Sequence, residues 1–351
     1  MVTGKALDNM KHALTRRNFV TASSAAAFAS AAKPLFGAPA AKSEGKNRKW
    51  IDTHIHVSDF SKAGKHRDKL LDDLLELLDR CDADLRFIIF PDDGHGYDMS
   101  KNPEDMLRAN KLVHELCKRA PGRLHGGCMI NPNFTDEALR VMKTCFEEWG
   151  FVHLGEMLPY MHGYRMIDPA AEKVVRLAAH YDVPVQIHVG TYAYWPDMSD
   201  SSGDGMNHLA DLMRIAKRVP EAKYILAHAI GCGVSSDFIP WASMILDTLK
   251  IVYPTFPRNF WVEIRDFQCD GLARAIREVP TDRLLSGTDW TTRIGPPFQS
   301  YGTMFGVLEK DNPFPPKVSS FVGFLRKAGA SETDIDRIAY ENARELYKLP
   351  S

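Results

Sequence analysis

The stretch Ile51-Asp52-Thr53-His54-Ile55-His56-Val57 sets two imidazoles two residues apart inside an apolar, β-branched run. Such a run reads as a buried strand, and strand alternation sends Asp52, His54 and His56 to one face, with Asp52 two residues deeper, where it is expected to orient one histidine or sit beneath the metal. If that face lines a barrel or cleft, both rings can offer a nitrogen to one cation, the usual way of holding a borderline metal such as zinc. Taken alone, the pair fits two packed core histidines just as well. The decision rests on whether later strands bring further ligands.

Working outward from this run, short β-rich segments alternate with helical ones and no low-complexity linker intervenes. Strands are expected at 50–57, 84–91, 123–130, 151–158, 183–189, 223–229, 260–267 and 283–288. Helices are expected near 68–80, 103–119, 135–149, 169–181, 206–218, 237–250 and 270–279. The segment after Asp168 shows the helical signature: Asp168 can cap, Pro169 suits the first turn, and Val174, Leu177, Ala178 and Tyr181 recur on one face. Thr135 followed by Asp136 and Glu137 reads as another helix start, and Ser331-Glu332-Thr333-Asp334 as a capping box opening a final helix through Ile338 and Leu346. Eight strands alternating with helices imply a parallel sheet, and a closed (β/α)8 TIM barrel, a single catalytic α/β domain over 49–351, suits the count better than an open sheet.

Ahead of the barrel, Arg16-Arg17-Asn18-Phe19 precedes an Ala- and Ser-rich apolar run over 21–32, and Ala38-Pro39-Ala40 offers small residues for cleavage. Residues 1–40 therefore read as a signal of twin-arginine type and 41–48 as a short linker, which predicts an exported, periplasmic or extracellular protein handled by the twin-arginine machinery. The run falls short of the roughly 18–20 residues of a membrane helix, so no stable span is expected. The chain has 351 residues and a formal net charge of -1. Removing residues 1–40 leaves a body near about -5, which argues against a nucleic-acid partner. The expected partner is a small-molecule substrate, with a homo-oligomer left open. Six cysteines scattered without CxxC spacing read as packed thiols.

In a (β/α)8 barrel the C-terminal strand ends meet around one mouth, however distant in sequence. Glu156 ends the fourth run, His188 the fifth, His228 the sixth and Asp289 the eighth. Each has a bland local reading, such as a helix cap for Asp289 or a packed ring for His228. A coincidence of bland readings at four or five strand ends is what the metal site has to beat.

Together with Asp-Thr-His-Ile-His, these residues resemble the metal and catalytic set of the amidohydrolase superfamily. Gly155-Glu156, Pro159-Tyr160, Gly163-Tyr164, Gly287-Thr288-Asp289 and Glu341-Asn342-Ala343 are similar to its amidohydrolase-related branch, which includes nonoxidative decarboxylases. The resemblance covers roughly residues 48–349. It implies that His54, His56, His188 and Asp289 surround one divalent metal, zinc being favoured, with His228 as acid or electrophile beside it. Such an ion lowers the pKa of bound water from about 15.7 towards about 7. Asp289 would then shuttle a proton, and His228 would hydrogen-bond a developing oxyanion. Many binuclear relatives carry a lysine at the end of strand four, which Phe151-Val152-His153-Leu154-Gly155-Glu156 lacks. One ion is therefore favoured, with two only if Glu156 bridges and His228 becomes a ligand.

Tyr160, Tyr192, Trp195 and Trp290 are expected to place rings near the mouth for a planar or apolar ligand, and Arg165 to receive a carboxylate. The leading expectation is metal-dependent hydrolysis of an amide, ester or lactone bond. The alternatives are nonoxidative decarboxylation of an aromatic or related acid, and a noncatalytic metal- or ligand-binding barrel. A carboxylate-binding arginine inside the site would favour decarboxylation over hydrolysis.

Overall fold

The run around His54 and His56 is the first of nine parallel strands: β1 (Lys49–Val57), β2 (Asp84–Pro91), β3 (Leu124–Cys128), β4 (His153–Met157), β5 (Val185–His188), β6 (Tyr224–Ile230), β7 (Phe260–Ile264), β8 (Leu284–Ser286) and β9 (Trp290–Thr292). The computed structural model describes residues 48–57, 67–93, 96–189, 205–231, 241–292 and 318–350, so the expected signal lies outside the described residues. The sheet order is β8-β7-β6-β5-β4-β3-β2-β1-β9. β8 and β9 are halves of one interrupted strand: Val262–Ile264 of β7 pair with Leu284–Ser286, and Ile55–Val57 of β1 pair with Trp290–Thr292. That shared eighth strand closes the sheet into the expected (β/α)8 barrel, and its interruption, Gly287-Thr288-Asp289, opens at the mouth.

The connecting helices bury one stripe each. In α1 (Arg67–Arg80) Leu71, Leu74 and Leu78 are buried, and in α2 (Glu104–Arg119) Met106, Ala109, Leu112, Val113 and Leu116 are. Glu104 and Asp105 in the first turn of α2 and Lys118 and Arg119 in its last complement the helix dipole. α3 (Thr135–Lys143) starts at the expected threonine. After the short α4 (Pro159–His162) comes α5 (Pro169–His180), where Asp168 does not cap forwards; its Oδ2 accepts from the Arg165 backbone N–H at 2.7 Å instead. α6 (Gly205–Arg218), α7 (Trp241–Val252) and α8 (Leu272–Glu278) follow. α9 (Val318–Lys327), which the sequence reading does not single out, packs Phe321 against Trp50 and Phe267, with ring centroids 5.7 and 4.6 Å away. The capping box forms as expected: Asp334 N–H donates to Ser331 Oγ, and Ser331 N–H to Asp334 Oδ2. It opens α10 (Glu332–Asp336), and a π turn leads on to α11 (Asn342–Leu346). No helix among the described residues is long and apolar enough to cross a membrane. Five cysteines, Cys81, Cys117, Cys128, Cys145 and Cys269, are free thiols, and Cys232 lies outside the described residues.

One register detail overturns an expectation. β1 pairs Asp52 with Phe87 but Ile55 with Ile89, three residues against two, so one extra residue interrupts the alternation between Asp52 and His54. Asp52 therefore does not share the histidine face. Its Oδ1 accepts from the backbone N–H groups of His54 (3.1 Å) and Thr288 (3.0 Å), and its Oδ2 from Thr288 Oγ1 (2.7 Å). It bolts β1 to the break in the eighth strand.

Candidate metal centre

His54 and His56 project from β1, Glu156 from the end of β4, His188 from the end of β5 and His228 from β6, while Asp289 sits in the break between β8 and β9. His228 and Asp289 both adopt left-handed backbone, with φ of 61° and 54°. For residues with a Cβ this costs on the order of 1–2 kcal/mol each and persists only where the surroundings enforce it. For His228 the enforcement is visible: its N–H donates to Glu263 Oε1 (3.0 Å), and its carbonyl accepts from Trp241 Nε1 (3.1 Å). Next to Asp289, Thr288 is held by the Asp52 carboxylate.

These backbones bring four donors to one point. His54 Nε2 lies 3.2 Å from His56 Nε2, and each of the two lies 3.4 Å from Asp289 Oδ1. Glu156 Oε2 lies 3.7 Å from His54 Nε2 and 3.6 Å from His56 Nε2. Ligands held at about 2.0–2.1 Å in a tetrahedron are separated by about 3.3–3.4 Å, so the five separations trace the edges of one coordination shell. The ring chemistry agrees. His54 Nδ1 faces Glu263 Oε2 at 2.7 Å and His56 Nδ1 faces the Pro91 carbonyl at 3.0 Å, so each Nδ1 donates there and each Nε2 is the nitrogen left to face a cation. Two lone pairs 3.2 Å apart repel unless a cation sits between them and the carboxylates, and the donor set therefore fits a divalent metal. Overlapping triads of ligand atoms, His54 with His56 and Asp289, and His54 with Glu156 and His228, each lie within 4.8 Å.

His188 reaches this set through Glu156: its Nδ1 is 2.8 Å from Glu156 Oε1, the oxygen that also faces His228 Nε2 at 2.9 Å. One Glu156 oxygen thus serves His188 and His228, and the other faces the cluster. Burial by itself would raise the Glu156 carboxyl, but the imidazoles of His188, His228 and His54 hold it well below the usual range. Burial likewise works against a charged His54, yet Glu263, Glu156 and Asp289 push it well above the ordinary value. His188, where burial wins over Glu156, is depressed to about 4. Asp289 is kept low despite burial, first by Arg265, whose Nε donates to its Oδ2 at 3.0 Å.

Glu263 and Arg265 were not anticipated from the sequence. The signal was available: Phe260-Trp261-Val262-Glu263-Ile264-Arg265 carries two charges at alternate positions of an apolar run, which a barrel strand must send inward together. Gln186 joins them from β5, its Nε2 donating to Glu263 Oε2.

Of the residues expected to meet substrate, Tyr160 sets its ring 4.6 Å from that of His188, with His208 of α6 beyond it at 6.4 Å. Arg165 is paired with Asp211, which engages it through both oxygens at 2.6 and 2.8 Å. Trp290 pairs with Ile55 and has its ring 6.4 Å from Phe87, so it shares the outward side of β1, opposite the two histidines. Tyr192 and Trp195 lie outside the described residues. His162, a weaker sequence candidate, is paired with Asp93 at 2.7 Å.

The family model described as Amidohydrolase matches residues 51–349. No curated protein matches the chain. Among solved structures, the barrel is similar to a 2,6-dihydroxybenzoate decarboxylase from Rhizobium, with a TM-score of 0.58 at 17% identity over 86% of this chain and 99% of that one. It is also similar to a dihydroxybenzoic acid decarboxylase from Polaromonas sp. with bound manganese, with a TM-score of 0.57 at 18% identity over 86% and 97% of the two chains. A third, 4-oxalomesaconate hydratase from Rhodopseudomonas palustris, has a TM-score of 0.56 at 15% identity over 85% and 95%. At these identities the likeness carries the fold.

Proposed function

The chain belongs to the amidohydrolase family, and from that premise we propose that it is a metal-dependent, nonoxidative decarboxylase of an aromatic or related carboxylic acid. The observation that carries this reading is Arg265. Its side chain is only 7% exposed and spends one nitrogen, Nε, on Asp289, while neither Nη group makes a hydrogen bond among the described residues. Asp289 already offsets the guanidinium charge through Nε, and the two Nη groups left over form a fork that suits a carboxylate. Hydrolysis of a neutral ester or lactone gives that fork no anion, whereas a carboxylic acid does. This reverses the order in which the sequence alone ranks the two chemistries.

His54, His56, Asp289 and Glu156 would hold the ion, and His188 would brace Glu156. A divalent ion there supplies Lewis-acid polarisation of the substrate oxygens. Zinc remains our proposed ion on the strength of two imidazoles and near-tetrahedral spacing, with manganese as the alternative. Arg265 binds the carboxylate with its Nη groups and fixes the plane of the acid. When the C–C bond to the carboxylate breaks, its electron pair stays on the ring carbon, carbon dioxide leaves, and the carbon takes a proton. His228 is placed to hold that proton at Nδ1, 3.9 Å from Asp289 Oδ2, while Glu156 anchors its Nε2. Tyr160 provides a wall for the ring beside His188. Arg16 and Arg17 add an exported setting to the proposal.

Hydrolysis of an amide, ester or lactone is the second reading, favoured by the description of the family model. There Asp289 would take the proton of the attacking water and His228 would hydrogen-bond the oxyanion. The two separate in one assay of metal-replete protein against hydroxybenzoates, chosen because the similar structures include dihydroxybenzoate decarboxylases, alongside esters, amides and lactones. Carbon dioxide release from an acid is expected. Hydrolysis without carbon dioxide release would overturn the first reading in favour of the second.

A further inference from the structure

Glu263 is fully buried at the end of β7, and its ion pair among the described residues is with His54. Every group it touches is a donor. His54 Nδ1 and Gln186 Nε2 both point to Oε2, and the His228 backbone N–H points to Oε1. The backbone is shaped around this carboxylate: a Cβ on Gly287 would sit 2.8 Å from Glu263 Oε2, so the residue that begins the break before Asp289 has to be glycine. A buried carboxylate is expensive, and an amide could fill the same space at lower cost. What the amide cannot do is accept at both ends, and accepting at both ends is what His54 and His228 require together.

We propose that Glu263 is the positioning residue of the metal centre, fixing His54 as the Nδ1–H tautomer so that Nε2 faces the ion, and locking the left-handed backbone of His228. It touches neither substrate nor ion and acts through two residues that do. The carboxylate also makes the His54 ring a more basic ligand, as outer partners of metal-bound histidines generally do. Pro91 O serves His56 in the same way, but as a neutral acceptor. The two imidazoles of the first strand are thus preset by different groups, and only one of them by a charge. The inference rests on the donor set being a metal site and is independent of the reaction.

The test is Zn2+ affinity by competition with a chromophoric chelator, together with the unfolding midpoint of the metal-free protein. Glu263→Gln should weaken Zn2+ binding by about 10–100-fold, the range of outer-partner losses, and Glu263→Asp should recover part of it. A lower midpoint with unchanged Zn2+ affinity would reduce Glu263 to packing and overturn the proposal. Independently of any variant, the 15N shifts of the His54 ring in metal-free wild-type protein, read at a pH high enough for the ring to be neutral, should report a protonated Nδ1 and a bare Nε2; the opposite tautomer would overturn it even if the variants failed to fold. Should the wild-type chain bind no Zn2+, the metal reading would fall, and the tautomer would still decide whether Glu263 orients His54.

Discussion

Replacing Arg265 with methionine keeps the length of the side chain and removes its charge and fork. Two consequences follow from the geometry. For a carboxylate substrate, two charge-assisted hydrogen bonds from the Nη groups disappear, each worth about 1.5–3 kcal/mol. At about 1.4 kcal/mol per tenfold, the combined loss is roughly 100- to 10,000-fold in kcat/KM for carbon dioxide release. The second consequence falls on the protein itself. Asp289 Oδ2 loses its partner at 3.0 Å while its carboxylate stays buried near Glu156, and breaking one side of such a pair costs about 3–5 kcal/mol in the metal-free state. Metal should restore much of that, so the drop in unfolding midpoint should be larger without metal than with it. Arg265→Lys keeps the charge without the fork and should fall between wild type and Arg265→Met in kcat/KM. Steady-state kinetics on an acid that the wild type turns over, with folding checked in parallel, decides the matter. A folded Arg265→Met enzyme within about threefold of the wild-type kcat/KM would refute the role of Arg265 in binding the acid.

Two further outcomes follow from buried groups. Burial depresses His153 to about 3, so it stays neutral in the folded barrel while the unfolded chain takes up a proton below about 6.5. Stability from this group is complete above about pH 6.5 and drains away as the pH falls, by roughly 2–3 kcal/mol between pH 6.5 and 4.5. Urea midpoints at the two pH values should show the loss in wild type and less of it in His153→Gln; identical acid losses would contradict the assignment. Asp52→Asn should destabilise the protein by about 1–2 kcal/mol, because the two backbone N–H bonds to Oδ1 lose their charge assistance while the Thr288 hydroxyl has to turn and accept from the amide. Equilibrium unfolding indistinguishable from wild type would show that the strand break is held by something else.

The contrast between Asp52 and Glu263 shows where sequence reading stops. His54, His56, His188, His228 and Asp289 are legible because imidazoles and carboxylates ending apolar runs are unusual, and barrel topology says that those ends converge. Unbroken alternation places Asp52 directly beneath the two histidines, and the single extra residue in β1 that turns it towards Thr288 is invisible in the pattern. Glu263 and Arg265 are legible as two charges in the seventh apolar run, but a strand without histidine carries no ligand signature of its own. Arg165 and Trp290 show a different limit. Each is a residue type that suits substrate, and the pairing of one with Asp211 on a distant helix and the register of the other with Ile55 are both long-range facts. Glu156 was placed correctly at a strand end, yet only coordinates reveal that it divides its oxygens between the donor cluster and His188 with His228.

His54, His56, Glu156 and Asp289 set four donors around one point, and metal content measures that site most directly. Protein dialysed against Zn2+ or Mn2+ and then freed of excess should retain close to one equivalent by elemental analysis, and His54→Ala should retain far less. Wild-type protein that folds and retains no metal under these conditions would contradict the site itself.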